Sequence, residues 1–170
     1  MMGGYVDLNL YQLQSALAQD IGSDLNLLID PEAAHIAVTA PFPSITIAGN
    51  VANQQYLNQS LLSQIINSSN NPYAQLMNDY DIEYPLWDET AAAIMAFPEL
   101  VTNSTMAYMD VNTAFDCPDY GRAHLWSEEF APNHTRSVNY VLGIDQEAFF
   151  EKVVSVLKSP STCPSGSGDI

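Results

Sequence analysis

Three stretches of the chain set a carboxylate close to a carboxamide or an indole: Asp7 with Asn9, Asp24 with Asn26, and Trp87 beside Asp88. A carboxylate next to a carboxamide offers acceptors and donors together, as vicinal sugar hydroxyls require. An indole adds a flat face for a base or a sugar ring. Each element also has a plainer reading, with Asp88 as a helix cap, Asn26 as a strand-end residue and Trp87 as core. His35, His124 and His134 stand at spacings that suggest no metal site, and they read as structural or solvated residues.

The elements that must position these residues follow an α/β pattern, in which ligands bind on loops leading from strands into helices. Residues 26–29 are expected to end a strand, and Asp30-Pro31-Glu32 to start a helix, with a cap, a proline and an acid where helix starts prefer them. Residues 44–48 alternate as a strand does, and Gly49-Asn50 turns the chain toward a helix carrying the apolar stripe Leu57, Leu61, Leu62, Ile65 and Ile66. A short helix is expected at 73–77 and another at 89–97, capped by Asp88 and ended by Pro98. Residues 104–111 and 137–142 read as strands. A last helix opens at Asp145 and buries Phe149, Phe150, Val153, Val154 and Leu157. Residues 1–158 are expected to form one domain body, and the Ser-, Gly- and Pro-rich stretch 159–170 a loose tail.

With 170 residues, 47% of them hydrophobic, the chain can bury one sizeable core. A net charge of −16 with four Lys and Arg repels nucleic acid and anionic membrane surfaces alike. No apolar run approaches the ~20 residues needed to span a bilayer. Charged residues amount to 14%, and Asn, Ser, Gln and Tyr carry much of the remaining polarity, a balance that suits a secreted protein. Four triplets, at Asn58, Asn67, Asn103 and Asn133, are possible N-glycan acceptors. Asn58 suits that role least, because it shares a helical face with Leu62 and Ile65. Cys117 and Cys163 could form a bridge worth roughly 4 kcal/mol, or remain two free thiols. The first residues, Met1 to Asp7, have neither the basic nor the apolar region of a signal peptide, so upstream sequence is expected.

Taken in order, Met2-Gly3-Gly4, Asp24-Leu25-Asn26, Asp30-Pro31-Glu32-Ala33-Ala34, Ala48-Gly49-Asn50-Val51 and Pro85-Leu86-Trp87-Asp88 resemble the C-terminal half of the inosine-uridine-preferring nucleoside hydrolase family. The resemblance runs over residues 2–157 and is most specific at 24–34. It implies the C-terminal portion of an open, mostly parallel sheet flanked by helices. It also implies a calcium-dependent N-ribohydrolase that separates base from ribose. Asn9, Asp24 and Asn26 are similar to the family's ribose-binding residues, with Asp24 one methylene shorter than the usual Glu, and Asp88 to the C-terminal aspartate that ligates Ca2+. Trp87 stands where inosine-uridine-preferring members carry His. Purine-preferring members use Trp there to stack on the base, so the implied substrate is a purine nucleoside.

The family's aspartate-rich N-terminal motif, source of the other calcium carboxylates and the general base, has no counterpart in these residues. A hard cation held by one carboxylate binds weakly, and loss of the base forfeits about 10² to 10⁴ in rate. The expectation is a piece or truncated form that is inactive alone, with self-association or association with the missing half covering an exposed sheet edge. The alternative is a non-catalytic secreted module that binds nucleosides or proteins.

Overall fold

In the computed structural model, residues 1–6, 24–68 and 85–158 are described. Asp24 starts the first helix, α1 (Leu25–Leu28), by accepting the Asn26 amide on its side chain. Residues 26–29 were expected to end a strand and instead form this turn of helix, because Asp24 supplies both the cap and the carbonyl that receives Leu28 N at 2.8 Å. Helix α2 (Pro31–Thr39) starts as expected, with Asp30 accepting from Ala33 N and Pro31 at the first position. Strand β1 (Thr46–Ile47) runs into a 3-10 turn, Gly49–Gln54. Helix α3 (Gln59–Ser68) is headed by Asn58, whose Oδ1 accepts Leu61 N at 2.9 Å.

Helix α4 (Trp87–Ala96) begins two residues before the expected start at Glu89. Leu86 takes the cap position without a side-chain bond, which leaves Asp88 in the first turn as a dipole-compensating acid. After a 3-10 turn at Pro98–Leu100 come β2 (Val101–Val111), β3 (Ala123–Trp126) and β4 (Arg136–Ile144), then α5 (Gln146–Lys158). Among the described residues no helix is long and apolar enough to cross a membrane. The expected helix at 73–77 and tail at 159–170 lie outside the described residues.

The sheet has the order β1-β4-β2-β3. β1 and β4 are parallel, with Ile47 opposite Tyr140, while β2 is antiparallel to both β3 and β4. The sheet is therefore mixed, which corrects the expectation of a mostly parallel one. The reason is local: residues 112–122 join β2 to β3 without a helix, and so short a return can only make an antiparallel neighbour. Residues 1–3 extend the sheet beyond β1, with Met1 N donating to Thr46 O at 2.8 Å and Gly49 N to Gly3 O at 3.1 Å.

Alternation along β4 separates two cores. Val138 and Tyr140 pack with Leu27, Val38, Ile47 and Met109, under α1 and α2. Val141 points the other way, to Val51 and Ile94 of the 3-10 turn and α4. On that second side a further cluster joins Leu62 and Ile65 of α3 to Phe149 and Val154 of α5. Helices thus cover both faces of the sheet, and β1 is held where its carboxyl end meets the start of α4.

Candidate functional site

Two glycines let three chain segments meet at that end. Gly4 adopts φ +78°, and a Cβ there would lie 2.7 Å from Ile47 Cγ2. Gly49 adopts φ +52°, and a Cβ there would fall on the Tyr140 hydroxyl. With that space open, the Tyr140 hydroxyl reaches both the Gly4 carbonyl and Asn50 Oδ1, each at 2.8 Å, donating to one at a time. Asn50 Oδ1 also accepts Val6 N at 3.1 Å. The N-terminal segment, β4 and the turn after β1 are tied together at this point.

Asp24 is 2% exposed. Its Oδ2 accepts Tyr5 N at 3.1 Å and its Oδ1 accepts Asn26 N at 2.9 Å. Burial pushes its carboxyl above the usual range, against the opposing pull of the backbone amides it accepts. Its visible work is to clamp the glycine segment to α1. Asn26 is exposed beside it, its amide 3.2 Å from the Met2 sulfur. Tyr5 is 4% exposed, and its phenol is raised by burial and by the charges of Asp24, Tyr140 and Asp88, so it stays protonated.

Trp87 and Asp88 reach the same region through a short pairing. Leu86 N donates to Gln55 O at 2.7 Å, and Tyr56 bridges Pro85, which sets the start of α4 against the end of the 3-10 turn. Trp87 Nε1 donates to Asn53 Oδ1 at 2.7 Å, fixing the half-buried indole, while Asp88 is exposed. Sequence reasoning placed Asp24, Asn26, Trp87 and Asp88 at this end of the sheet. It missed the residues that hold them, Tyr5, Asn50, Asn53 and Tyr140. The only signal was the Gly49-Asn50 pair, read as a turn, and Tyr140 looked like any alternating strand residue. Asn9 lies outside the described residues.

The arrangement offers hydrogen-bonding carboxamides, one exposed carboxylate and one fixed aromatic face. A hard cation such as Ca2+ takes 6–8 oxygen ligands. Among the described residues no group of three or more His, Cys, Asp or Glu side chains is arranged to hold a metal. Asp88 fits such a site as a single ligand, and the rest would come from outside the described residues.

The other expected positions are scattered. Asn58, Asn67, Asn103 and Asn133 are all exposed, with Asn58 committed to capping α3. Cys117 is half-buried, its sulfur 3.7 Å from the Asn112 amide, and has no disulfide partner among the described residues; Cys163 lies outside them. The histidines hold a surprise. His35 and His134 each hydrogen-bond to one oxygen of Asp110, at 2.5 and 2.6 Å, and His124 lines the same cavity. Their sequence spacing gave no hint, because α2, β2, β3 and the turn before β4 meet only in the folded chain.

Comparison with known proteins agrees with this architecture. The structure resembles an inosine-guanosine nucleoside hydrolase with a TM-score of 0.68 at 14% identity, over 83% of this chain and 48% of that one. It resembles the plant nucleoside hydrolase PpNRh1 with a TM-score of 0.67 at 20% identity, over 83% of this chain and 49% of that one. It resembles the inosine-uridine preferring nucleoside hydrolase of Bacillus anthracis with a TM-score of 0.61 at 21% identity, over 76% and 41% of the two chains. At these identities the likeness concerns the fold alone. In sequence, the uncharacterized protein C800.11 of Schizosaccharomyces pombe is 35% identical over 188 aligned positions, which cover 98% of this chain and 48% of that protein. The chain spans about half the length of the relatives it matches. The model of the inosine-uridine preferring nucleoside hydrolases matches residues 1–151, and with that extent of match the chain belongs to this family.

Proposed function

We propose that this chain supplies the ribose- and base-facing half of a purine nucleoside N-ribohydrolase. The observation that carries the reading is the indole of Trp87, fixed by Asn53 at 2.7 Å and followed directly by the exposed Asp88. A held aromatic face beside a free carboxylate suits a purine stacked next to a cation-bound sugar. Trp87 stacks on the base, and Asn26 presents its amide to the ribose hydroxyls. Asp24 orients Asn26 and the glycine segment, and reaches the ribose only through lone pairs its amide bonds leave free. Asp88 would be one ligand of a calcium ion, which when bound supplies charge to hold the sugar hydroxyls and to acidify the attacking water. The Tyr5 phenol, kept protonated, is a donor close to these groups.

Exposed Asn67, Asn103 and Asn133 support a glycosylated, secreted protein, and in an oxidising compartment Cys117 would bridge to Cys163. Met95 at 83% and Val156 at 59% exposure leave apolar surface on α4 and α5 that supports association with a second copy or with the complementary half of the fold.

The test is base release from inosine, guanosine and uridine, with Ca2+ and with a chelator. It is run on the chain alone and on a hybrid joined to the N-terminal half of a family member. The expected outcome is no turnover by the chain alone and calcium-dependent, purine-selective turnover by the hybrid. Robust turnover by the chain alone would overturn the assignment of the missing ligands and base. Equal rates on inosine and uridine would overturn the role of Trp87. Nucleoside binding by the hybrid without turnover would favour the non-catalytic module.

A further inference from the structure

All three histidines of the chain line one cavity. It has a volume of about 480 Å³, and its wall also includes Asp110, Asn112 and Trp126. It is separate from the site described above. Asp110 lies five positions along β2 from Thr105, the partner of Tyr140, or about 17 Å at ~3.3 Å per residue.

The chemistry of the wall is specific. Asp110 Oδ1 meets His35 Nδ1 at 2.5 Å and accepts Val111 N at 2.7 Å, while Oδ2 meets His134 Nε2 at 2.6 Å. Burial opposes ionisation of this carboxyl, but the bonds from His35, His134 and the Val111 amide outweigh it and hold the group below its usual range. An ionised carboxylate only accepts, so His35 must donate from Nδ1 and His134 from Nε2. In the neutral imidazoles this leaves His35 Nε2 and His134 Nδ1 as acceptors with lone pairs to offer. His124 Nε2 is buried and has no hydrogen-bond partner among the described residues. Beside them His124 stacks on Trp126, with centroids 5.8 Å apart and planes at 21°, a ready base for a further flat ring.

Acceptors arranged beside an aromatic stack, around an ionised carboxylate in a chain of net charge −16, reject anions and favour a neutral ring rich in N–H groups. The cavity size suits a small molecule. Among the described residues no three His, Cys, Asp or Glu side chains are grouped so as to hold a metal ion.

We propose that this cavity is a second ligand site, for a small neutral amino-substituted heteroaromatic ring such as a free aminopurine base. The ring stacks on the Trp126 and His124 pair and donates to His35 and His134. The proposal does not depend on the function assigned to the Trp87 end of the sheet.

The experiment titrates the full chain with adenine, read by calorimetry and by Trp126 emission in a Trp87→Phe background, where Trp126 is the one remaining tryptophan. Saturable 1:1 binding is expected, with a Kd below about 1 mM. Trp126→Ala should weaken it about tenfold or more, the scale of losing one base-stacking face. Should that variant fail to fold, His134→Ala removes a side chain that is 59% exposed and leaves Asp110 its bonds to His35 and the Val111 amide, so the chain keeps its fold, and it should weaken adenine several-fold. Adenosine monophosphate should bind at least several-fold more weakly than adenine, and ribose should not compete. No saturation by adenine, or saturation unaffected by His134→Ala and Trp126→Ala, overturns the proposal. So does a 1:1 Zn2+ isotherm that is lost in His134→Ala while adenine stays silent.

Discussion

Replacing Asp24 by Ala removes the acceptor of the Tyr5 and Asn26 amides, which sit 3.1 and 2.9 Å from its two oxygens. A buried amide left without a partner costs about 1 to 3 kcal/mol, and the Asn26 bond also heads α1, where losing a cap costs about 1 kcal/mol. The Asn26 amide is part-buried and takes the low end, while the Tyr5 amide is buried and takes the middle or upper end. Part of this loss is offset, because a carboxyl whose ionisation is opposed by burial no longer has to be accommodated. The expected net cost is about 2 to 3 kcal/mol, large against a typical stability of roughly 5 to 15 kcal/mol but not enough to unfold the chain. Urea unfolding followed by circular dichroism measures it, with Asp24→Asn expected to cost about half, since one acceptor oxygen survives. The folded carboxyl is raised above its ordinary value, so its contribution is present below that ordinary value and is lost as pH rises through the higher folded one. That loss should vanish in Asp24→Asn. An Asp24→Ala variant within about 0.5 kcal/mol of the parent would refute the clamp. An Asp24→Asn variant of parental stability that no longer binds nucleoside would give the carboxylate to the ribose instead.

Gly4→Ala should destabilise by about 2 kcal/mol or more, since φ +78° and a 2.7 Å approach to Ile47 Cγ2 both oppose a methyl, and a melt unchanged from the parent would contradict this geometry. Asn53→Ala should loosen the Trp87 indole by removing its Nε1 acceptor, giving red-shifted, more readily quenched emission at near-constant Tm; an unchanged spectrum would deny that Asn53 fixes the ring. Asp110 titrates in the opposite sense to Asp24: its folded carboxyl is lowered, so its stabilising contribution is present above 3.8 and disappears as pH falls through the lower folded value. Asp110→Asn should flatten that acid limb of a stability-against-pH curve, and an identical limb in parent and variant would show that the two imidazoles do not hold the carboxylate.

Much of the fold was legible locally. The caps at Asp30 and Asp145, the stripe through Leu62 and Ile65, and the alternation through Val138 and Tyr140 are short-range patterns, and each element formed where its pattern lies. The start of α4 was off by two residues because a first-turn acid and a capping acid look alike in sequence. Sheet direction was misjudged because α/β alternation early in the chain says nothing about the helix-free return from β2 to β3. At the candidate site, motif order singled out Trp87, Asp88, Asp24 and Asn26, but a motif does not reveal whether a carboxylate faces solvent or backbone.

The sequence by itself determined most of the described helices and strands, the family resemblance and the strongly acidic charge, because propensity, periodicity and charge are properties of neighbours along the chain. Tertiary structure alone decided that Asp24 spends both oxygens on amides, and that Tyr140 reaches across to Gly4 and Asn50. It also decided that His35, His124 and His134 share one cavity around Asp110. Each of these joins residues from different strands and helices. Such contacts depend on sheet register and on which face a side chain occupies, and a one-residue change of register would abolish them without altering any local pattern.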